Sequence, residues 1–416
     1  MTSPRVILYP ALMELCMRIT DFAENPIDDR KLAELNNGRL HELMRARGVD
    51  ALFVIAPDNW RYATALPMLH SIFSSMVNAA LVCLDKPFPT LFPLQGFGSP
   101  MSQRAPWMED IEELPMEGTG EGLQPMMVDK WPQIIANKLS QLGLSKSRIA
   151  VDPMTPFALK EAIQNRLQTA QIVDGGEILR QARLIKNEEE LKALRNACLL
   201  ADIAMEDAFK AVRPGASELD IAAAAEHSFR VHGAEYSAFT PQVFSGLNAL
   251  MPYNSPSSRL IRNGELVRID IGCCSHGYHS CFGRTVYVGS PDDQVQQAYA
   301  AVHHALAAGI SAARPGVTNI ELHQIMSRAL DEHSAGKYDL GSYGGHGLGA
   351  GIHENPMIGS RGAVEEMVLE ANMCIALEPS VMVPGRGWLG LEDNIIITSS
   401  GCEVMTTTRF ELDPKA

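Results

Sequence analysis

A repeat constrains this chain more than any other feature of its sequence. Arg213-Pro-Gly-Ala-Ser-Glu-Leu-Asp220 recurs as Arg314-Pro-Gly-Val-Thr-Asn-Ile-Glu321, an offset of 101 residues. In each copy Arg-Pro-Gly closes one helix and a hydroxyl residue, Ser217 or Thr318, opens the next. Three positions on stands Asp220 or Glu321, the acid that completes a reciprocal cap. The apolar strand Leu266-Val-Arg-Ile-Asp270 has its counterpart in Cys374-Ile-Ala-Leu-Glu378, at an offset of 108. Two matches at nearly equal offsets make duplication a better account than coincidence. Halves packed about a pseudo-twofold axis would bring their strand-end acids, Asp270 and Glu378, together.

Upstream of the repeat, residues 30–175 read as alternating helices and strands. Leu40-His-Glu-Leu-Met-Arg-Ala-Arg-Gly48 has helical spacing and ends in Gly, and Asp50-Ala-Leu-Phe-Val-Ile-Ala56 follows as a short apolar strand. Ala79-Ala-Leu-Val-Cys-Leu84 and Arg148-Ile-Ala-Val-Asp152 are further strands, with a helical pattern from Met127 to Leu142 between them. This predicts an α/β domain with a mixed sheet. The Gly-, Pro- and Met-rich stretch from Leu94 to Glu121 reads as a loop, either a cover or a surface excursion. Near Leu184 the texture changes, and a long helix begins with Asn187 and Glu190 in capping-box spacing. The expected division is therefore 1–183 and 184–416.

Composition narrows the function classes. A chain of 416 residues with 46% hydrophobic and 20% charged residues is neither disordered nor fibrous. Its net charge of −14, without a run of Lys and Arg, argues against nucleic acid as a partner. Eight Cys lacking a CxxC pair read as reduced thiols, which points to the cytoplasm. Neither a signal-peptide pattern nor a membrane-length apolar run is found, so no membrane partner is expected.

The candidate chemistry lies in the C-terminal part. Asp270 ends an apolar strand, and a hairpin through Ile271–Tyr278 would return Cys281 beside it. Beyond stand His346 and His353, within Gly344-Gly-His-Gly-Leu-Gly-Ala-Gly-Ile-His-Glu-Asn-Pro356, then Glu378-Pro379 and Glu392-Asp393. Such side chains are hard or borderline ligands for a divalent ion. Taken singly, His346 reads equally well as a loop histidine facing water and His353 as a cap or core histidine; the accompanying acids favour function. The run Gly347–Gly351 lacks the Lys and Ser/Thr of a phosphate loop, so it reads as permitting close backbone approach.

The order Asp270, Cys281, Arg284-Thr285, His346, His353-Glu-Asn-Pro356, Glu378-Pro379 and Glu392-Asp393 resembles the creatinase, prolidase and aminopeptidase P family (M24). The fold this implies is α/β (α+β), with a pita-bread catalytic domain over 184–416. Val49-Asp-Ala-Leu-Phe-Val54 and Asn59-Trp-Arg-Tyr62 resemble the smaller creatinase-like N-terminal domain of its longer members. Peptidase members hold two metal ions with two Asp, one His and two Glu. Carried over, this implies Asp270, His346, Glu378 and Glu392 as ligands, with the second Asp falling on Cys281. Cys281 then either ligates as a thiolate or is a small buried thiol. Where peptidases carry a substrate-side His, this chain has Met251-Pro-Tyr253, while His353 matches the other. It thus resembles a divergent member outside the typical Xaa-Pro peptidases.

The resemblance implies a metal-dependent hydrolase of an amide or other C–N bond in a small molecule. Metal-activated water would attack a carbonyl, Glu378 would pass a proton to the leaving nitrogen, and His353 and Tyr253 would hydrogen-bond the reacting group. The implied cofactor is a divalent ion (Mn, Fe, Zn or Co), one per chain because Cys281 replaces a shared carboxylate. A metal-free site is the alternative, as in creatinase. Other readings are a lyase of the dimethylsulfoniopropionate-cleaving type, suggested by Asn59–Thr64 and the aromatic Tyr253, and a degenerate non-catalytic binding domain. Likeness to two-domain members implies a homodimer.

Overall fold

The structure is a computed structural model that describes residues 26–67, 78–115, 129–251 and 255–413. The chain divides into two compact units, one spanning Ile27–Arg183 and the other built on Leu184–Ala416. No helix among the described residues is long and apolar enough to cross a membrane. All seven described cysteines are free.

In the first unit, α1 (Asp29–Ala46) starts where the Asp28 carboxylate accepts from the Lys31 N–H, and it stops just before Gly48, whose φ is +60°. The strands are β1 (Ala51–Val54), β2 (Ala79–Cys83), β3 (Thr90–Phe92), β4 (Arg148–Val151) and β5 (Gln171–Asp174). They form one sheet in the order β3-β2-β1-β4-β5, in which β1 runs antiparallel to β2 but parallel to β4. The sheet is mixed, as expected; β3 and β5 are additions that their short length concealed. Helices α2 (Pro57–Thr64), α3 (Gly98–Arg104), α4 (Lys130–Gln141), α5 (Phe157–Arg166) and α6 (Gly176–Leu184) complete the unit.

Phe53, Phe92, Trp131, Ile135 and Leu159 share its core. The stretch expected as a loop forms bridges Leu91↔Ile111 and Leu94↔Leu114 and carries α3, while residues 116–121 lie outside the described part. The Asn59-Trp-Arg-Tyr motif lies on α2 and serves packing within this unit. Asn59 Nδ2 donates to Asp152 Oδ2 at 2.9 Å, Tyr62 donates to the Ala182 carbonyl at 2.9 Å, and Trp60 is buried.

The second unit opens with α7 (Glu188–Ala211), on which the Asn187–Glu190 capping box is formed in both directions, and α8 (Glu218–Val231) packs against it. Then come β6 (Tyr236–Ser237), β7 (Gln242–Ser245), β8 (Glu265–Ile271), β9 (Cys273–Ser275), β10 (Tyr278–His279) and β11 (Phe282–Val288). A second helix pair follows, α9 (Asp293–Ala312) packed on α10 (Asn319–Ser334). The remaining strands are β12 (Tyr343–Gly347), β13 (Glu354–Gly359), β14 (Cys374–Leu377), β15 (Ser380–Val383), β16 (Gly387–Gly390), β17 (Asp393–Ile397) and β18 (Cys402–Val404).

The repeat is structural. Gly215 N–H donates to Ile261 O at 2.9 Å, and 101 and 108 residues on, Gly316 N–H donates to Leu369 O at 3.0 Å. The bridges Ser217↔Leu260 and Thr318↔Val368 stand at the same two offsets. The caps differ: Ser217 and Asp220 form the reciprocal box, whereas Thr318 accepts from Glu321 N–H with no return bond among the described residues. Sheets β11-β8-β7 and β13-β12-β14-β17-β18 belong to the two halves. One core joins α7 and α8 to Val267, Ile269 and Phe282; the other joins α9 and α10 to Ile375, Leu377 and Ile395.

A buried guanidinium knots the end of β11 to later chain. Arg284 donates from Nη1 to the Gly283 and Glu392 carbonyls (3.0 and 2.6 Å) and from Nη2 to Asp393 Oδ1 and the Thr408 carbonyl (2.8 Å each). Its Cζ lies over the Phe282 and Phe410 rings at 4.4 and 4.1 Å. Removing one partner of a buried ion pair costs ~3–5 kcal/mol. Arg284→Met should lower unfolding free energy by about that amount in urea titration, and Arg284→Lys should recover only part of it, since an ammonium cannot reproduce the fork.

In the first unit, Asp110 accepts from Lys86 (2.5 Å), Lys138 (2.7 Å) and Thr90 (2.6 Å). Burial opposes its ionisation, but these bonds prevail and hold the carboxyl down to about 2. A depressed folded-state pKa contributes stability above the unfolded value and loses it as pH falls through the folded one. Asp110→Asn should therefore cost on the order of 1–2 kcal/mol at neutral pH, allowing for partial exposure, with the deficit shrinking between about pH 4 and about pH 2.

Candidate metal centre

Strand β8 has Gln242 of β7 and Gly283 of β11 opposite Asp270. Alternation sorts its side chains: Val267, Ile269 and Ile271 enter the helix-side core, so Arg268 and Asp270 share the other face. The chain reverses through β9 and β10 and reaches Cys281 just before β11. This is the expected hairpin, with its returning arm broken at Ser280 and Cys281. Asn394 holds the break, accepting from the Cys281 N–H at 3.2 Å and donating to the Cys281 carbonyl.

His346 comes from β12, opposite Ala376 of β14. Gly345 has φ +149° and a Cβ there would collide with the Ala376 carbonyl; one at Gly347 would meet Asn355. The glycines thus permit close strand approach, as the sequence implied. Burial holds His346 down to about 4, so its ring is neutral. With Nδ1 2.9 Å from the Gly347 carbonyl, Nδ1 carries the proton and Nε2 keeps its lone pair. Nε2 has no hydrogen-bond partner among the described residues, although it is buried.

Glu378 follows β14, its N–H donating to Gly344 O at 3.0 Å, with Oε1 3.5 Å from His346 Nε2 and a hydrogen bond to Tyr343. Glu392 lies between β16 and β17, its N–H donating to Gly283 O at 2.9 Å. Its side chain is fully buried, and neither oxygen has a nitrogen or oxygen donor among the described residues.

Cys281, His346 and Glu392 each present a ligand atom within 4.8 Å of the others. Three donors holding one ion at ~2.0–2.3 Å stand at such separations. The orphaned Nε2 of His346, both oxygens of Glu392 and Oδ1 of Asp270 face what a cation would satisfy. The residues therefore fit one divalent ion. Of the five expected ligand positions, three cluster; Asp270 and Glu378 border the cluster.

Burial pushes all three carboxyls up, Asp270 to about 6, Glu378 to about 7 and Glu392 well above its ordinary range, with mutual repulsion adding to it at Asp270 and Glu392. The Cys281 thiol is raised by burial and then by the charges of Glu392, Asp270 and Glu378. Arg268 works the other way on all three carboxyls.

Beside the cluster is a cavity of about 220 Å³ lined by Gln242, Phe244, Arg268, Asp270, Glu378 and Trp388, among others. His353 is exposed, its ring centroid 4.2 Å from that of His346. Tyr253 lies outside the described residues. Sequence reading overlooked Arg268 and Tyr343. Arg268 was legible: in an apolar strand, a charged residue two before Asp270 must share its face.

Comparison with known proteins accords with this geometry. Residues 192–399 match metallopeptidase family M24, and residues 38–185 match the creatinase/prolidase N-terminal domain. A Xaa-Pro dipeptidase of Pyrococcus horikoshii is 32% identical over 264 residues, 64% of this chain and 74% of that protein. The crystal structure of a prolidase from the same organism superposes with TM-score 0.73 at 26% identity, covering 91% of this chain and 99% of that one. A Xaa-Pro dipeptidase structure from Bacillus anthracis gives 0.75 at 27%, with the same coverage. The lyase, metal-independent and non-catalytic alternatives find no support among these relatives. The chain belongs to metallopeptidase family M24, a metal-dependent hydrolase of C–N bonds on the pita-bread scaffold with a creatinase-like N-terminal domain.

Proposed function

We propose that this enzyme hydrolyses the C–N bond of a small amide, dipeptide-sized or smaller, at a centre holding one ion per chain. The observation that carries this is the convergence of Cys281 with buried His346 and Glu392 atoms that have no nitrogen or oxygen hydrogen-bond partner among the described residues, beside a cavity of only about 220 Å³. Cys281, His346 and Glu392 would hold the ion, and a sulfur, nitrogen and oxygen set suits Zn, Fe or Co better than Mn. When bound, the ion supplies Lewis-acid polarisation of the scissile carbonyl and of the attacking water.

The chain's own groups do the rest. Glu378 borders the cavity and takes the water proton, then delivers it to the leaving nitrogen. The Tyr343 phenol steadies the Glu378 carboxylate. Exposed His353 offers a hydrogen bond to the reacting carbonyl, and the part of Tyr253 rests on the sequence alone, since it lies outside the described residues. Names of relatives such as Xaa-Pro dipeptidase support a dipeptide-sized substrate. We assign residues 1–183 to the N-terminal domain and 184–416 to the catalytic one, and read the enzyme as a cytoplasmic homodimer.

The test is a panel of Xaa-Pro dipeptides, other dipeptides and N-acyl amino acids, offered to chelator-stripped protein reloaded with Zn, Co, Fe or Mn. Turnover of a compact amide with one equivalent of ion is expected; absence of C–N cleavage with every ion would overturn the reading. Glu378→Gln should reduce turnover ~10²–10⁴-fold while leaving the protein folded. His346→Ala should abolish retention of the ion, measured by plasma mass spectrometry.

A further inference from the structure

Arg268 sits inside the acidic centre. It is 4% exposed, its Nη2 donates to Asp270 Oδ2 at 3.2 Å, and Nη1 has no hydrogen-bond partner among the described residues. Room is kept for it by two glycines. A Cβ at Gly390 would collide with Nη1 and come within 2.9 Å of Cζ, and one at Gly283 would lie 3.1 Å from Nη2 and 3.0 Å from Glu392 Oε2. Gly283 is the residue opposite Asp270 on β11, so the guanidinium reaches the gap between Asp270 and Glu392 through space that any other residue there would fill.

We propose that Arg268 is a resident cation occupying the place of a second metal ion, so that Asp270 is the counter-ion of Arg268 and not a ligand. This rests on the single-ion reading above and says what enforces it. With Asp270, Glu378 and Glu392 ionised and Cys281 ligating as a thiolate the centre carries four negative charges, of which one divalent ion and one guanidinium offset three, whereas a second divalent ion would leave it with excess positive charge. A second divalent ion on Asp270 would stand within a few ångströms of the guanidinium in a buried, weakly screened site, where like charges repel strongly. Restoring the carboxylate at position 281 alone therefore does not restore a two-ion centre, because the positive charge is already in place.

Cobalt(II) titration followed by visible absorption, with metal content by plasma mass spectrometry, tests this on the full chain. The expectation is one ion per chain for the unaltered protein, for Cys281→Asp and for Arg268→Lys, and two for Arg268→Met combined with Cys281→Asp. In chelator, Arg268→Met should melt well below the unaltered protein and recover when cobalt is added. If that variant does not fold without metal, refolding it with and without cobalt reads the same dependence. Two ions in Cys281→Asp alone, or one in the double variant, would overturn the role of Arg268 while leaving the single-ion reading standing. Two ions in the unaltered protein would overturn both.

Discussion

Three carboxylates and a thiol, Asp270, Glu378, Glu392 and Cys281, are buried so close together that the charges of the carboxylates raise the cost of ionising Asp270, Glu392 and the thiol. Burying an unpaired charge is among the most expensive things a fold can do, and the group protonates if nothing compensates it. Positive charge is therefore the condition on which this centre exists in its working state. The chain supplies part of it through Arg268, and a divalent ion supplies the rest. The surrounding architecture is arranged around that need: glycines at 283 and 390 make room for the guanidinium, and glycines at 345 and 347 let β12 approach its neighbours while presenting His346.

Placing such groups together requires segments far apart in sequence to meet rigidly. Duplication solves this, since each half offers a strand whose end carries an acid, and the same Gly215–Ile261 and Gly316–Leu369 bonds brace both halves. The join is then locked by Arg284, whose guanidinium binds carbonyls of Gly283, Glu392 and Thr408, and by Asp202 of α7, which accepts from the Thr407 and Thr408 amides at 2.9 Å. Cys281 and Glu392 are thus held by main-chain bonds to a buried cation and to Asn394, not by their own side chains. Those side chains, hydrogen-bonded to each other, stay available to an ion.

Much of this was legible in the sequence because it depended on local rules. The repeat, the caps at Asn187 and Ser217, the mixed sheet of the first unit and the hairpin returning Cys281 to Asp270 all follow from spacing, alternation and capping chemistry. The partial failures have physical causes. The Thr318 cap lacks its return bond because capping spacing permits that bond without compelling it. Strands β3 and β5 are too short for alternation to show, and β5 is only half-buried. The Asn59–Thr64 motif suggested a lyase, yet Trp60 and Tyr62 are spent on packing. Arg268 was missed because Leu-Val-Arg-Ile-Asp was read as an apolar run rather than by face.

Exposure separates the roles of the two glutamates. Glu392 is wholly buried, flanked by Cys281 and Arg284-held backbone, which suits it in the proposed mechanism to holding a cation rather than to meeting substrate. Glu378 has a side chain 13% exposed and lines the cavity, with the Tyr343 phenol on it and His346 Nε2 at 3.5 Å. A group that must exchange protons with both water and a leaving nitrogen has to touch the space where substrate sits, and its affinity for the proton must lie near working pH. Glu378 meets both conditions: it borders the cavity, and burial has moved its carboxyl up to about 7 against the opposing pull of Arg268. In the proposed mechanism, the guanidinium that offsets the charge of the centre therefore also lowers the proton affinity of Glu378.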